Sequence, residues 1–103
     1  MMRKYACHRI YTDPDHYLSQ AFVAIDEEGK VIRYASFQEE MVATEWIGGV
    51  IYLTDTNTAP NGDFHLWINN HIKNGQTPVY AWHLSEFNFV REEPTPNCIF
   101  SLL

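Results

Sequence analysis

A β-hairpin is written into residues 17 to 37. Two runs of strand-forming residues flank the tetrapeptide Asp26-Glu27-Glu28-Gly29. A glycine in its last place supplies the left-handed backbone that a type I turn followed by a bulge requires. Leu18 to Ile25 and Lys30 to Phe37 are therefore read as paired strands. Strict alternation puts Leu18, Gln20, Phe22 and Ala24 on one face of the first strand and Ser19, Ala21, Val23 and Ile25 on the other. On the return strand, Val31, Arg33, Ala35 and Phe37 oppose Ile32, Tyr34 and Ser36. A further run, Trp46 to Leu53, contains Gly48-Gly49 and ends Val50-Ile51-Tyr52-Leu53. Its apolar end reads as a strand buried on both faces, and the glycines allow a bulge or a close backbone approach.

The remaining chain extends this pattern. Residues 3 to 11 alternate as a strand, and Thr12-Asp13-Pro14-Asp15-His16 is a turn. Gln38 to Thr44 is polar and acidic, a loop or a short helical turn. Thr54 to Asn61 is a loop. One helix is expected over about 63–74, capped by Asp63, with Phe64, Trp67, Ile68 and Ile72 on its apolar stripe. Gly75 suits its left-handed stop and Lys73 its negative end. Pro78 to Leu84 and Phe87 to Arg91 read as strands, Pro94 and Pro96 end regular structure, and Cys98 to Leu103 docks on the body.

The whole makes a single α+β domain over 1–103: a small antiparallel sheet of about five to six strands with the helix packed on one face, or a partly open barrel closed by it. With 46% hydrophobic and 15% aromatic residues, the chain has enough apolar material for a core.

Net charge narrows the partners. A formal charge of -6 lacks the basic footprint that nucleic acid or an anionic membrane surface demands. No run has the length of a membrane helix, and the N-terminus has no signal-peptide pattern. A cytoplasmic protein is expected. Its two cysteines, Cys7 and Cys98, are expected as free thiols in a reducing compartment.

Reactive constellations are not found. His65 and His71 share the helix but miss the i, i+4 spacing of a zinc-binding helix. Asp55 to Leu66 fails the calcium-loop pattern at Ala59, Pro60 and Leu66. Cys7 and His8 are strand neighbours expected on opposite faces. Glu39 and Glu40 are an acid/base pair in principle, but adjacent residues rarely converge. No glycine-framed nucleophile, phosphate loop or metal spacing is present, so no catalytic residue, cofactor or metal is assigned.

Ala21 to Tyr34 resembles the hairpin in the small β-domain of amidohydrolase-superfamily enzymes, the cytosine-deaminase-like hydrolases above all. Trp46 to Leu53 resembles the strand that leads into their barrel. The resemblance covers the first half of the chain and implies the non-catalytic sheet alone. Thr54-Asp55-Thr56-Asn57 stands where that family continues into Pro-Gly and a His-x-His metal pair, and 103 residues cannot hold its barrel.

The expected function is association, with a protein partner or as a homodimer, through a surface formed by Tyr80, Trp82, Phe87 and Phe89. The alternatives are a small metal-dependent hydrolase using His8 and His83, and a small-ligand domain with a pocket between helix and sheet.

Overall fold

A computed structural model of the chain describes residues 2–36, 44–72 and 78–103. The element order is β1 (Arg3–Asp13), β2 (His16–Ile25), β3 (Val31–Ser36), β4 (Thr44–Trp46), β5 (Val50–Thr54), α1 (Phe64–His71), β6 (Tyr80–Leu84), β7 (Phe87–Asn88), β8 (Glu93–Pro94) and β9 (Phe100–Leu102). The main sheet has seven strands in the order β3-β2-β1-β5-β6-β9, with β4 also beside β1. β7 and β8 form a separate two-stranded ribbon.

The hairpin is present as expected. Gly29 adopts φ +81°, and the Asp26 carboxylate accepts the Glu28 and Lys30 backbone N–H groups. The sheet, however, is mixed and not antiparallel throughout. β1, β2 and β3 form an antiparallel meander, after which the chain returns to the far side of β1. There β4 and β5 both run parallel to β1. Strand direction depends on where a crossover lands, which composition does not encode.

β4 and β5 are one strand interrupted. Lys4 faces Thr44, an offset of 40, whereas Arg9 faces Val50, an offset of 41. Gly48 and Gly49 absorb the extra residue at φ +67° and +59°, the bulge the glycines were expected to allow. Gly49 has a second reason to lack a side chain: a Cβ there would collide with the Leu84 carbonyl.

The sheet buries apolar residues on both sides. One cluster holds Tyr11, Val50, Tyr52, Trp82, Leu84 and Phe87 together with Trp67 and Ile68 of α1 and Ile72 just after it. The other holds Cys7, Ile10, Ala21, Val23, Ile25, Ile51, Leu53 and Ala81. All five residues of β5 are buried, as its apolar run implied. The second cluster draws on β1, β2, β5 and β6, with Val31 and Tyr34 of β3 packed against it. The Val31 N–H donates to the Val79 carbonyl at 2.7 Å, so the start of β3 reaches the segment before β6. The strand path still ends at β3 and β9, and the sheet is not a closed barrel.

Other boundaries differ from expectation in small ways. The turn shortens to Pro14-Asp15, because β1 runs to Asp13 and β2 begins at His16. The helix spans Phe64–His71, with the Asp63 carboxylate accepting from the His65 and Leu66 backbone N–H groups. The expected roles of Lys73 and Gly75, and the segment 37–43 with Phe37, Glu39 and Glu40, lie outside the described residues. Phe87 to Arg91 forms only the two-residue β7, since Asn88 caps a turn by accepting from the Val90 and Arg91 N–H groups. Pro94 lies inside β8, the partner of β7. Its fixed φ is compatible with an edge position that needs no N–H donor.

Two indoles hold the 55–61 loop. Trp67 Nε1–H donates to the Thr58 carbonyl at 3.0 Å, and Trp82 Nε1–H to the Thr56 carbonyl at 2.9 Å. At the end of α1, His71 Nδ1 lies 2.9 Å from Asp55 Oδ1, and the Asp55 N–H donates to the His71 carbonyl. These are the polar ends of otherwise buried or packed side chains.

Candidate functional site

The site begins with a break in the pleat. Tyr5, Cys7 and Ile10 all contact the second cluster, and so do Leu18, Ala21, Val23 and Ile25. In each strand the regular step of two is replaced once by a step of three. The two intervening residues, His8 and Arg9 on β1 and Ser19 and Gln20 on β2, therefore both turn to the opposite side of the sheet. The β1–β2 register keeps Arg9 opposite Ser19 but records no His8–Gln20 pair. The His8 N–H instead donates to the Gly49 carbonyl at 3.2 Å. Gln20 takes a left-handed φ of +48°, a conformation that costs a non-glycine residue about 1–2 kcal/mol.

Strict alternation placed Leu18 with Gln20, Phe22 and Ala24. Leu18 instead shares its cluster with Ala21, Val23 and Ile25, because of this break. The same break brings His8, Arg9, Ser19 and Gln20, together with Phe89, around one groove of about 320 Å³. A second groove, about 470 Å³, shares His8 and Phe89 and continues past Gly49, Phe87, Thr95 and Asn97.

Aromatic rings line this region. The His8 ring lies edge-on to Trp46, with centroids 5.0 Å apart, and to Phe89 at 6.0 Å. Arg9 Cζ lies 4.2 Å from the Tyr17 ring centre and 4.8 Å from that of Phe89, a cation flanked by two rings. Trp46 is 50% exposed, Phe89 39% and Tyr17 38%.

Beneath them lies a polar relay. Arg9 Nη1 donates to the Tyr11 hydroxyl at 3.1 Å, and that hydroxyl donates to Glu92 Oε1 at 3.2 Å. Arg9 Nη1 and Glu92 Oε1 are 3.6 Å apart. Glu92 also has a left-handed backbone, φ +53°. Two non-glycine residues with positive φ thus stand beside one arginine, and such outliers gather where structure is held for a purpose. Burial raises the Tyr11 pKa, opposed by the Arg9 hydrogen bond, so the hydroxyl stays protonated as the relay requires. The Arg9 guanidinium loses solvent to its surroundings, but the Tyr11 and Glu92 contacts outweigh that loss and hold it charged.

The four residues expected to form one exposed aromatic surface are divided. Trp82 is 5% exposed and Phe87 is 8% exposed, and both belong to the first buried cluster. Tyr80 is half-buried, and Phe89 alone of the four is exposed. Tyr80 and Trp82 share one face of β6, but Tyr80 stands at the strand's first position and Trp82 at its middle, while Phe87 packs against Tyr11 and Tyr52 at 5.8 and 6.1 Å. Phe87 is the anchor that lets the β7–β8 ribbon carry Phe89 over Arg9.

His8 and His83 do not converge. His83 pairs with Ile51 and lies on the side of the second cluster, whereas His8 faces the other side. His83 Nε2 sits 3.2 Å from the Gly48 carbonyl. Among the described residues, no group of three or more His, Cys, Asp or Glu side chains is placed to hold a metal ion. Cys7 is buried and free, with its thiol pushed up to about 12 by burial, which leaves it a poor nucleophile. Cys98 is also free and half-buried.

Sequence reasoning missed Arg9, Ser19, Gln20, Trp46 and Glu92. The sequence carried no signal for them: the apolar residues of β2 run unbroken from Ala21 to Ile25 and those of β1 include Ala6 and Tyr11 beside Tyr5, Cys7 and Ile10, so neither slip stands out from the pattern.

No protein-family model, no curated protein and no solved structure matches the chain. The likeness of Ala21 to Tyr34 and of Trp46 to Leu53 to amidohydrolase strands rests on those residues alone, and none of the comparisons links the chain to that superfamily. Among the described residues, no helix is long and apolar enough to cross a membrane.

Proposed function

We propose that this chain is a binding domain that associates with a polypeptide partner through the ring-lined face around Phe89. In this reading α1 covers the Trp67–Trp82 end of the first cluster, and the pleat break opens the other end to a partner. The observation that carries the reading is the series of exposed rings from Trp46 through His8 to Phe89, joined to Tyr17 by the Arg9 guanidinium between them. Rings and arginine are the side chains that dominate protein interfaces. Two abutting open grooves that share His8 and Phe89 suit an extended segment better than a compact ligand.

The test is affinity selection from a soluble random-peptide library on the wild-type protein, counter-screened on Phe89→Ser. The expected result is enriched peptides that lose about tenfold or more in affinity on Phe89→Ser, while its melting temperature stays near that of the wild type. Enriched peptides that bind both proteins alike, or no enrichment, would overturn the reading. Sedimentation velocity of the wild type supplies the self-association arm: a dimer abolished by Phe89→Ser makes a second copy the partner.

A further inference from the structure

We infer that the pleat-break groove is a carboxylate-binding subsite, in which the open edge of Arg9 grips a carboxylate of the bound peptide. This rests on the association reading and names the chemistry it would use.

The inference comes from how the guanidinium is held. Arginine carries five N–H donors in a planar fork. Nη1 is occupied by the Tyr11 hydroxyl and lies near Glu92. Among the described residues, Nε and Nη2 donate no hydrogen bond. These two nitrogens form the edge whose parallel N–H bonds match the two oxygens of a carboxylate. Tyr17 and Phe89 flank the guanidinium carbon, and the Tyr11–Glu92 relay restrains its inner edge. The entropy of holding a long side chain still, which makes most surface arginines weak binding groups, is thus largely spent in the free protein.

The surroundings favour an acceptor-bearing ligand with an apolar neighbour. Ser19 and Gln20 add a hydroxyl and an amide to the same groove, and His8 and Phe89 add ring surface. The formal charge of -6 opposes an acidic ligand only at short range, because screening at physiological salt removes repulsion beyond about 8 Å. Inside the groove the contact is decided by Arg9 against the carboxylate beside it, Glu92, which lies on the Nη1 side of the guanidinium. The adjoining groove past Gly49 and Asn97 gives the rest of a peptide somewhere to lie, so a peptide is the occupant and a small free acid is the alternative tested against it.

The direct probe is N-acetylphenylalanine, which carries one ring and one carboxylate, against its uncharged amide. Binding is followed at the Arg9 side-chain Nε–H resonance in the wild type, and by titration calorimetry in the wild type and every variant. The acid is expected to shift that resonance saturably, and the amide to bind about tenfold or more weaker. Arg9→Lys should lose as much as Arg9→Gln, because a lysine keeps the charge but not the fork. Ser19→Trp, which fills the groove and leaves Arg9 in place, should also abolish binding, and it serves if an Arg9 variant fails to fold. Each peptide recovered through Phe89 should weaken to the same degree when its carboxylates are converted to amides.

Equal binding of acid and amide, or binding that survives both Arg9→Lys and Ser19→Trp, would overturn the subsite while leaving Phe89-dependent peptide binding intact. Acid binding without any Phe89-dependent peptide would overturn the peptide occupant and leave a small-acid site. Failure of both peptide and acid to bind would remove the association reading with it.

Discussion

The Tyr11 ring lies flat on Tyr52, with centroids 4.3 Å apart and planes 4° from parallel. Tyr52 is buried, and its hydroxyl is held neutral by that burial first and by Tyr11 second. The pair joins the core to the relay, since the Tyr11 hydroxyl emerges between Arg9 and Glu92. Replacing Tyr11 with Phe keeps the stack and removes the hydroxyl. The expected cost is about 1 kcal/mol in urea unfolding, together with a freer Arg9. Tyr11→Ala removes the ring as well and should cost about 3–5 kcal/mol. Equal effects from the two substitutions would show that the stack contributes nothing.

Gly49 and Gly62 make a controlled comparison. Both have positive φ, +59° and +104°. A Cβ at Gly62 meets nothing, whereas one at Gly49 collides with the Leu84 backbone carbonyl and lies 3.2 Å from His83 Nε2. Gly62→Ala is expected to cost about 1 kcal/mol from conformation alone. Gly49→Ala is expected to cost about 3 kcal/mol or more, because backbone must move in a buried ladder. Thermal unfolding of the two variants reads the difference.

Asp13 and His16 form a pH-dependent clasp across the β1–β2 turn, with Nδ1 2.8 Å from Oδ1. Asp13 loses solvent, which would raise its pKa, but the His16 hydrogen bond and the Asp15 N–H outweigh this and lower it from 3.8. His16 is raised from 6.5 by its bond to Asp13. The Asp13 contribution is therefore complete above its unfolded value and is lost as pH falls through the lowered folded value. The His16 contribution is complete below about 6.5 and is lost as pH rises through the raised folded value. Urea midpoints should favour the wild type over Asp13→Asn most between about pH 4 and pH 6.5. A difference that is flat with pH would exclude the clasp.

Trp82→Phe should loosen the 55–61 loop. It preserves a ring in the core and removes the N–H that the Thr56 carbonyl accepts. A loss of about 1–2 kcal/mol is expected, with faster amide hydrogen exchange through that loop. If Trp82→Phe changed peptide binding at the Phe89 face and left the loop unaltered, Trp82 would belong to the surface after all.

The thiols should separate by reactivity. Buried Cys7, with its raised pKa, is expected to react with iodoacetamide only after unfolding, whereas half-buried Cys98 should react in the native state. Mass spectrometry of the labelled native protein distinguishes them.

Local chemistry alone determined several elements. The Asp26–Gly29 turn, the Asp63 cap, the Gly48-Gly49 bulge and the two-sided burial of β5 all depend on residues close in sequence, so their signals lie within a few positions of each other. The Trp67–Ile68–Ile72 stripe was legible for the same reason. Tertiary structure decided the rest. The parallel pairing of β1 with β4 and β5 depends on where a distant segment returns, and no residue in either strand carries that direction. The candidate site depends on two pleat slips falling side by side on neighbouring strands, and on Phe87 anchoring the ribbon that sets Phe89 over Arg9. Each slip alone looks like an irregular strand. Only their pairing turns four residues to one side, because the face a side chain occupies is set by the whole ladder and not by its own position in it.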